Sequence, residues 1–120
     1  MRISVDFDGT LTDPRMERWI RWQIEGGLHV RITTQRPSVI NNTPIVHQDV
    51  ERMARRLGIT VKYCNYQDKH KYLEGYDLHI DDDREQVRLI KESGICYADH
   101  FDPATWFDTQ SEFDPPATWT

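Results

Sequence analysis

A doubly wound α/β fold, with about five parallel strands and helices on both faces, is what the sequence predicts. Three observations carry this: short apolar strands alternate with amphipathic helical stretches, the helices carry their own start and stop residues, and polar clusters follow the strands. Strand–helix alternation at this spacing implies right-handed crossovers and a sheet covered on both faces.

The first strand is Ile3-Ser4-Val5, which stops at Asp6-Phe7-Asp8-Gly9-Thr10-Leu11. Period-two alternation puts Asp6 and Asp8 on one face, at the end where open α/β sheets bind ligands. Two acids so close repel unless a cation or a shared proton neutralises them. Taken alone, the same residues also suit an Asx-rich turn.

Asp13-Pro14 starts a helix, with Asp as N-cap and Pro at the first position. Met16, Trp19, Ile20 and Ile24 form its inward stripe, and Gly26-Gly27 ends it. Leu28 to Ile32 reads as the second strand, ending at Thr33-Thr34-Gln35-Arg36-Pro37; residues 37–43 read as a loop. A second helix is expected from near Thr43-Pro44, with Val50, Met53, Ala54 and Leu57 inward and Gly58 as its stop. Ile59 to Cys64 is the third strand, and Asn65 to Gly75 a polar loop containing Asp68-Lys69-His70-Lys71. Leu78-His79-Ile80 is a short fourth strand ending at Asp81-Asp82-Asp83, where Asp83 is expected to cap the helix Arg84 to Ser93. Gly94 stops that helix, and Ile95 to Ala98 is the fifth strand. His70 and His79 are read as plain loop and strand residues.

These elements divide the chain into a core domain, 1–98, and an acidic aromatic tail, 99–120. Of 20 acidic residues five lie in the tail, which has no Lys or Arg, so residues 1–98 balance and the tail carries the net charge of −5. Charge alone therefore gives no case for a duplex-DNA binder. The tail holds a near-repeat, Phe101 to Trp106 and Phe113 to Trp119, too short for a solenoid. Its aromatics are read either as anchors on the domain or on a neighbouring subunit, or as part of a loosely ordered end. With two of the four tryptophans in the tail, homo-oligomerisation through it is one expectation. Cys64 and Cys96 fall in expected strands, and with no secretory segment and no apolar run long enough to span a bilayer, a cytoplasmic chain with reduced thiols and no membrane partner is expected.

In a parallel sheet, Asp6 and Asp8, Thr33 and Thr34, and Asp81 to Asp83 share one edge and can converge. Several carboxylates in one crevice call for a hard cation, and carboxylate-plus-water ligation suits Mg²⁺. A hydroxyl and a lysine beside such a cation are what phosphate oxygens require, and one carboxylate can then attack phosphorus.

At these residues the chain resembles the haloacid dehalogenase (HAD) superfamily of Mg²⁺-dependent phosphotransferases. Asp6-Phe7-Asp8-Gly9-Thr10-Leu11 matches the first motif, Asp-x-Asp-Gly-Thr-Leu. Thr34-Gln35-Arg36 resembles the second, a lysine within Asp68 to Lys71 the third, and Ile80-Asp81-Asp82 the acidic fourth. The resemblance spans residues 1–98 and implies a Rossmann-like, HAD-type fold and a phosphatase that hydrolyses a phosphomonoester through an aspartyl-phosphate. It implies Asp6 as nucleophile, Asp8 as general acid and base, Thr34 as phosphoryl ligand, and Mg²⁺ held by Asp6, the Asp8 backbone carbonyl, and Asp81 or Asp82. Lys71 is preferred over Lys69 for the lysine role. Gly9, Thr33 and Arg36 are further substrate-binding candidates, with Thr33 competing with Thr34. The intervals between motifs leave room only for core elements, so no cap domain is expected; the open site suits a larger phosphorylated partner or a lid supplied by another subunit or the tail, and a small phosphate ester stays open as substrate. Two rival readings are a HAD-like protein that binds a phosphorylated ligand without turnover, and a receiver-like phospho-acceptor domain, which fits the motif order poorly.

Overall fold

The computed structural model describes residues 1–110. Five strands, β1 (Arg2–Val5), β2 (His29–Thr34), β5 (Thr60–Tyr63), β6 (Leu78–Asp81) and β7 (Tyr97–His100), form one parallel sheet in the order β5-β2-β1-β6-β7. Strand order runs outward from β1 in one direction through β2 and β5. It then returns to β1's other side with β6 and β7, so the reversal falls beside β1, where such sheets form a ligand crevice.

The helices form where local signals place them. α1 (Pro14–Glu25) is capped by Asp13, which accepts from the Arg15 N–H, and α3 (Arg84–Ser93) by Asp83, which accepts from the Glu85 and Gln86 N–H groups. α2 (Gln48–Leu57) and α3 both end on a glycine with positive φ, Gly58 and Gly94. Met16, Trp19 and Ile20 of α1 and Val50, Met53, Ala54 and Leu57 of α2 pack into one apolar cluster with Ile3, Val5, Val30, Ile32 and Ile80; Ile24 is half-buried at its margin. Those strand residues alternate with Ser4, Arg31, Thr33 and His79, which face the other way. α3 packs along β6 and β7 and against the turn Lys69–Tyr72, burying Val87 and Ile90.

Three elements differ from their sequence reading. Residues near Thr43-Pro44 do not start α2 but form β4 (Thr43–Pro44), paired antiparallel with β3 (Val39–Ile40). Asn41 and Asn42 stand between them at φ 51° and 61°, the conformation a two-residue hairpin turn demands and Asn tolerates. β7 begins two residues later than expected, because its register is set by pairing with β6, Leu78 opposite Tyr97 and Asp81 opposite His100. Cys64 and Cys96 flank β5 and β7 instead of lying within them, and both are free thiols.

Past residue 98 the chain continues into the core. Phe101 is 1% exposed, and Trp106, at the start of α4 (Trp106–Gln110), packs edge-on to Trp19 with ring centroids 5.1 Å apart. The Trp106 indole N–H donates to Asp99 at 2.9 Å. The first aromatic copy of the near-repeat is thus spent within its own chain; the second, Phe113 to Trp119, lies outside the described residues. Among the described residues, no helix is long and apolar enough to cross a membrane. Truncating Phe101 to Ala is expected to cost about 3–5 kcal/mol of stability in urea unfolding of the full chain; an unchanged midpoint would contradict this packing.

Candidate functional site

The three acidic and polar strand ends meet at the carboxyl edge of the sheet. After β1 the chain turns sharply: the Leu11 N–H donates to the Asp6 carbonyl at 3.1 Å and the Thr12 N–H to the Phe7 carbonyl at 3.2 Å. Gly9 occupies φ +76° in this turn, and a Cβ built there would run into the Asp82 carboxylate. The positive φ favours glycine here, and any larger residue would also have to displace the exposed Asp82 carboxylate.

At the centre is a buried lysine, and it is Lys69. Its Nζ donates to Asp6 Oδ1 and to Asp81 Oδ2, each at 2.6 Å, with the ammonium and both carboxylates almost wholly shielded from water. Burial alone would lower the lysine's pKa, but the two carboxylates more than offset it and hold the charge. Burial pushes the Asp6 carboxyl well up, against the pull of Lys69 and with the push of Asp81. Asp81 goes the other way: burial would raise it, but the His79 hydrogen bond and the Lys69 charge bring it to about 2. Asp81 is the settled anion of the pair. Its Oδ2 also meets His79 Nε2 at 2.7 Å, and its Oδ1 accepts the Asp83 N–H at 3.0 Å.

Lys71, preferred on sequence, is exposed and has no contact with these carboxylates. The physical reason lies in the tight turn Lys69–Tyr72, where residues two apart cannot point the same way. Gln86 of α3 decides which one faces inward: its side-chain carbonyl accepts the Lys69 N–H at 3.0 Å while its amide donates to Asp68 at 3.1 Å.

Thr33 is also placed away from the cleft. Its hydroxyl points to the sheet face opposite that of Thr34 and stands 2.6 Å from the Ser4 hydroxyl. Thr34 lines the cleft with Asp6, Asp8, Arg36, Lys69 and Asp82, and its hydroxyl accepts the Arg36 N–H at 3.2 Å. The cleft has a volume of about 700 Å³.

Arg36 grips Asp8 with two hydrogen bonds, 2.9 Å from Nε and 2.6 Å from Nη2, and spreads its remaining donors to Asp49 at the start of α2. Both acids raise the pKa of the guanidinium further. The Asp8 side chain itself is 56% exposed. One carboxylate oxygen each from Asp6, Asp81 and Asp82 lies within 4.8 Å of the others, a donor set of hard oxygens. Thr10 joins them: its hydroxyl stands 3.2 Å from Asp6 Oδ2 and 3.3 Å from Asp82 Oδ1, and it accepts the Asp82 N–H at 3.1 Å.

Sequence reasoning missed the inward role of Gln86, the bracing of Arg36 by Asp49, and His79. The last was legible, since Leu78-His79-Ile80-Asp81 alternates and so puts His79 on the Asp81 face. Comparisons with protein-family models, with curated proteins and with solved structures give no match.

Lys69→Met, which leaves two buried carboxylates without their cation, is expected to cost about 3–5 kcal/mol in denaturant unfolding. Lys71→Met is expected to change stability by less than about 0.5 kcal/mol; equal losses in the two variants would refute the placement. Gly9→Ala is expected to cost at least about 1–2 kcal/mol from its backbone alone, and more if Asp82 cannot shift.

Proposed function

We propose that the chain is a Mg²⁺-dependent phosphatase of HAD type, with a doubly wound Rossmann-like core and no cap domain, acting on a phosphomonoester. One observation carries the reading: the Lys69 ammonium is shared between Asp6 and Asp81 at 2.6 Å each, inside a cleft that also presents Thr34 and Asp8. Two carboxylates converging on one ammonium, with a third beside them, leave negative charge that a divalent cation is suited to balance.

The all-oxygen cluster fits Mg²⁺, which Asp6, Asp81 or Asp82, and the Asp8 backbone carbonyl would hold; when bound, it offsets the charge on the phosphoryl oxygens. Lys69 keeps Asp6 oriented toward the cleft and contributes a fixed positive charge to the phosphoryl group. Thr34 offers a hydroxyl to a phosphoryl oxygen. An Asp6 oxygen forms the bond to phosphorus as the ester oxygen leaves, and Asp8 protonates that leaving oxygen. Asp8 then takes a proton from water as the water oxygen attacks phosphorus and frees Asp6. Arg36, already braced by Asp49, holds Asp8 between these transfers and adds a cation at the mouth of the cleft. The exposure of Asp8 suits proton exchange with solvent.

The test is phosphate release from a generic aryl phosphate with and without Mg²⁺. Activity is expected to vanish with a chelator and return with Mg²⁺, and Asp6→Asn is expected to reduce turnover by about three orders of magnitude or more. Release that survives Asp6→Asn would exclude Asp6 as nucleophile; none from any phosphate ester would favour a binding protein.

A further inference from the structure

Behind the cleft, on the sheet face away from the apolar cluster, Ser4, Thr33, His79 and Asp81 are all fully buried. Buried polar groups are costly unless paired, and these are paired in a line. Arg31 donates to the Thr33 hydroxyl from Nε at 3.2 Å and Nη2 at 3.1 Å. Thr33 Oγ1 stands 2.6 Å from Ser4 Oγ, Ser4 Oγ 2.8 Å from His79 Nδ1, and His79 Nε2 2.7 Å from Asp81 Oδ2.

Counting protons gives the line a direction. Arginine only donates and an ionised carboxylate only accepts, so the two ends are fixed. Thr33 accepts from Arg31 and has one proton left, for Ser4. Ser4 then gives its proton to His79 Nδ1. A neutral ring that accepts at Nδ1 carries its hydrogen on Nε2, aimed at Asp81. The reverse order would set a bare ring nitrogen against a carboxylate oxygen. A doubly protonated ring would also donate at Nδ1, turning the Ser4 proton back on Thr33, whose own proton would then have no acceptor in the line.

Resting on the phosphatase reading above, we infer that His79 is a positioning residue of the site, locked by Ser4, Thr33 and Arg31 into the Nε2–H form that fixes Asp81 toward Lys69 and the cation. The start of the line serves the same purpose. Arg31 Nη2 also donates to the Tyr72 carbonyl at 2.7 Å, and Tyr72 closes the turn that bears Lys69. One guanidinium thus ties the lysine's turn to the sheet and orders the protons that reach the lysine's partner. Carboxylates that hold metals depend on such outer hydrogen bonds, whose loss typically costs 10–100-fold in affinity.

Nitrogen-15 NMR of the labelled full chain at neutral pH reads the ring state directly and needs no activity. A neutral Nε2–H His79 is expected; an Nδ1–H or doubly protonated ring overturns the inference. Calorimetric titration with Mg²⁺ supplies the second readout. His79→Phe is expected to weaken Mg²⁺ binding by about 10–100-fold. His79→Gln, which keeps an N–H for Asp81, is expected to recover most of that loss. Unchanged affinity in the Phe variant, equal losses in both, or no Mg²⁺ binding by the wild type overturns the role. If the Phe variant does not fold, the wild-type ring state still decides. Mg²⁺ binding without phosphate release would sink the phosphatase reading alone.

Discussion

The constraint on which the rest depends is one buried ammonium between two carboxylates. Lys69 donates to Asp6 and Asp81 at once, and without it two buried carboxyl groups would face each other with no cation between them. Many features of the chain serve to bring these three groups together. β1 and β6 are hydrogen-bonded neighbours, so their carboxyl ends lie side by side. The Asp6 N–H is itself tied to the Ile80 carbonyl at 3.0 Å. Gln86 and Arg31, one on each side of it in sequence, clamp the turn that delivers the lysine.

That requirement explains the unequal faces of the sheet. One face is a conventional apolar core against α1, α2 and α4. The other carries Ser4, Arg31, Thr33 and His79 where a parallel sheet would ordinarily bury aliphatics. Such a layer is tolerable only when every donor has an acceptor, and here the directed line from Arg31 to Asp81 provides that. It also places α3 apart from the other helices, as the element that reads the lysine turn through Gln86 instead of adding to the main apolar cluster.

What was legible in the sequence is what local chemistry determines. Asp13-Pro14, Asp83 and Gly94 mark helix ends by satisfying backbone groups within a few residues, so α1 and α3 stand where their caps put them. Asp6, Asp8, Thr34, Asp81 and Asp82 could be read because they follow strands whose ends must share an edge. Where distant partners decide, the reading chose wrongly, as for the lysine, or left alternatives open. Lys69 and Lys71 are indistinguishable until Gln86 clamps the turn. Thr33 and Thr34 differ only in sheet face, which the pairing of β2 with β1 settles. The start of β7 and the docking of Phe101 depend on β6 and on α1, far away in sequence. The Asn41-Asn42 hairpin was a local signal that the neighbouring Thr43-Pro44 helix-start pattern obscured.

The proposed chemistry makes Asp6 a transient acyl phosphate, and that species can be caught. The chain would be mixed with a turning-over aryl phosphate and Mg²⁺, quenched with borohydride, digested, and its peptides weighed by mass spectrometry. The expected result is Asp6 reduced to the corresponding alcohol, only when substrate and Mg²⁺ are both present, with Asp8, Asp81 and Asp82 unmodified. Phosphate release with Asp6 unreduced, or with another carboxylate reduced in its place, would contradict the account.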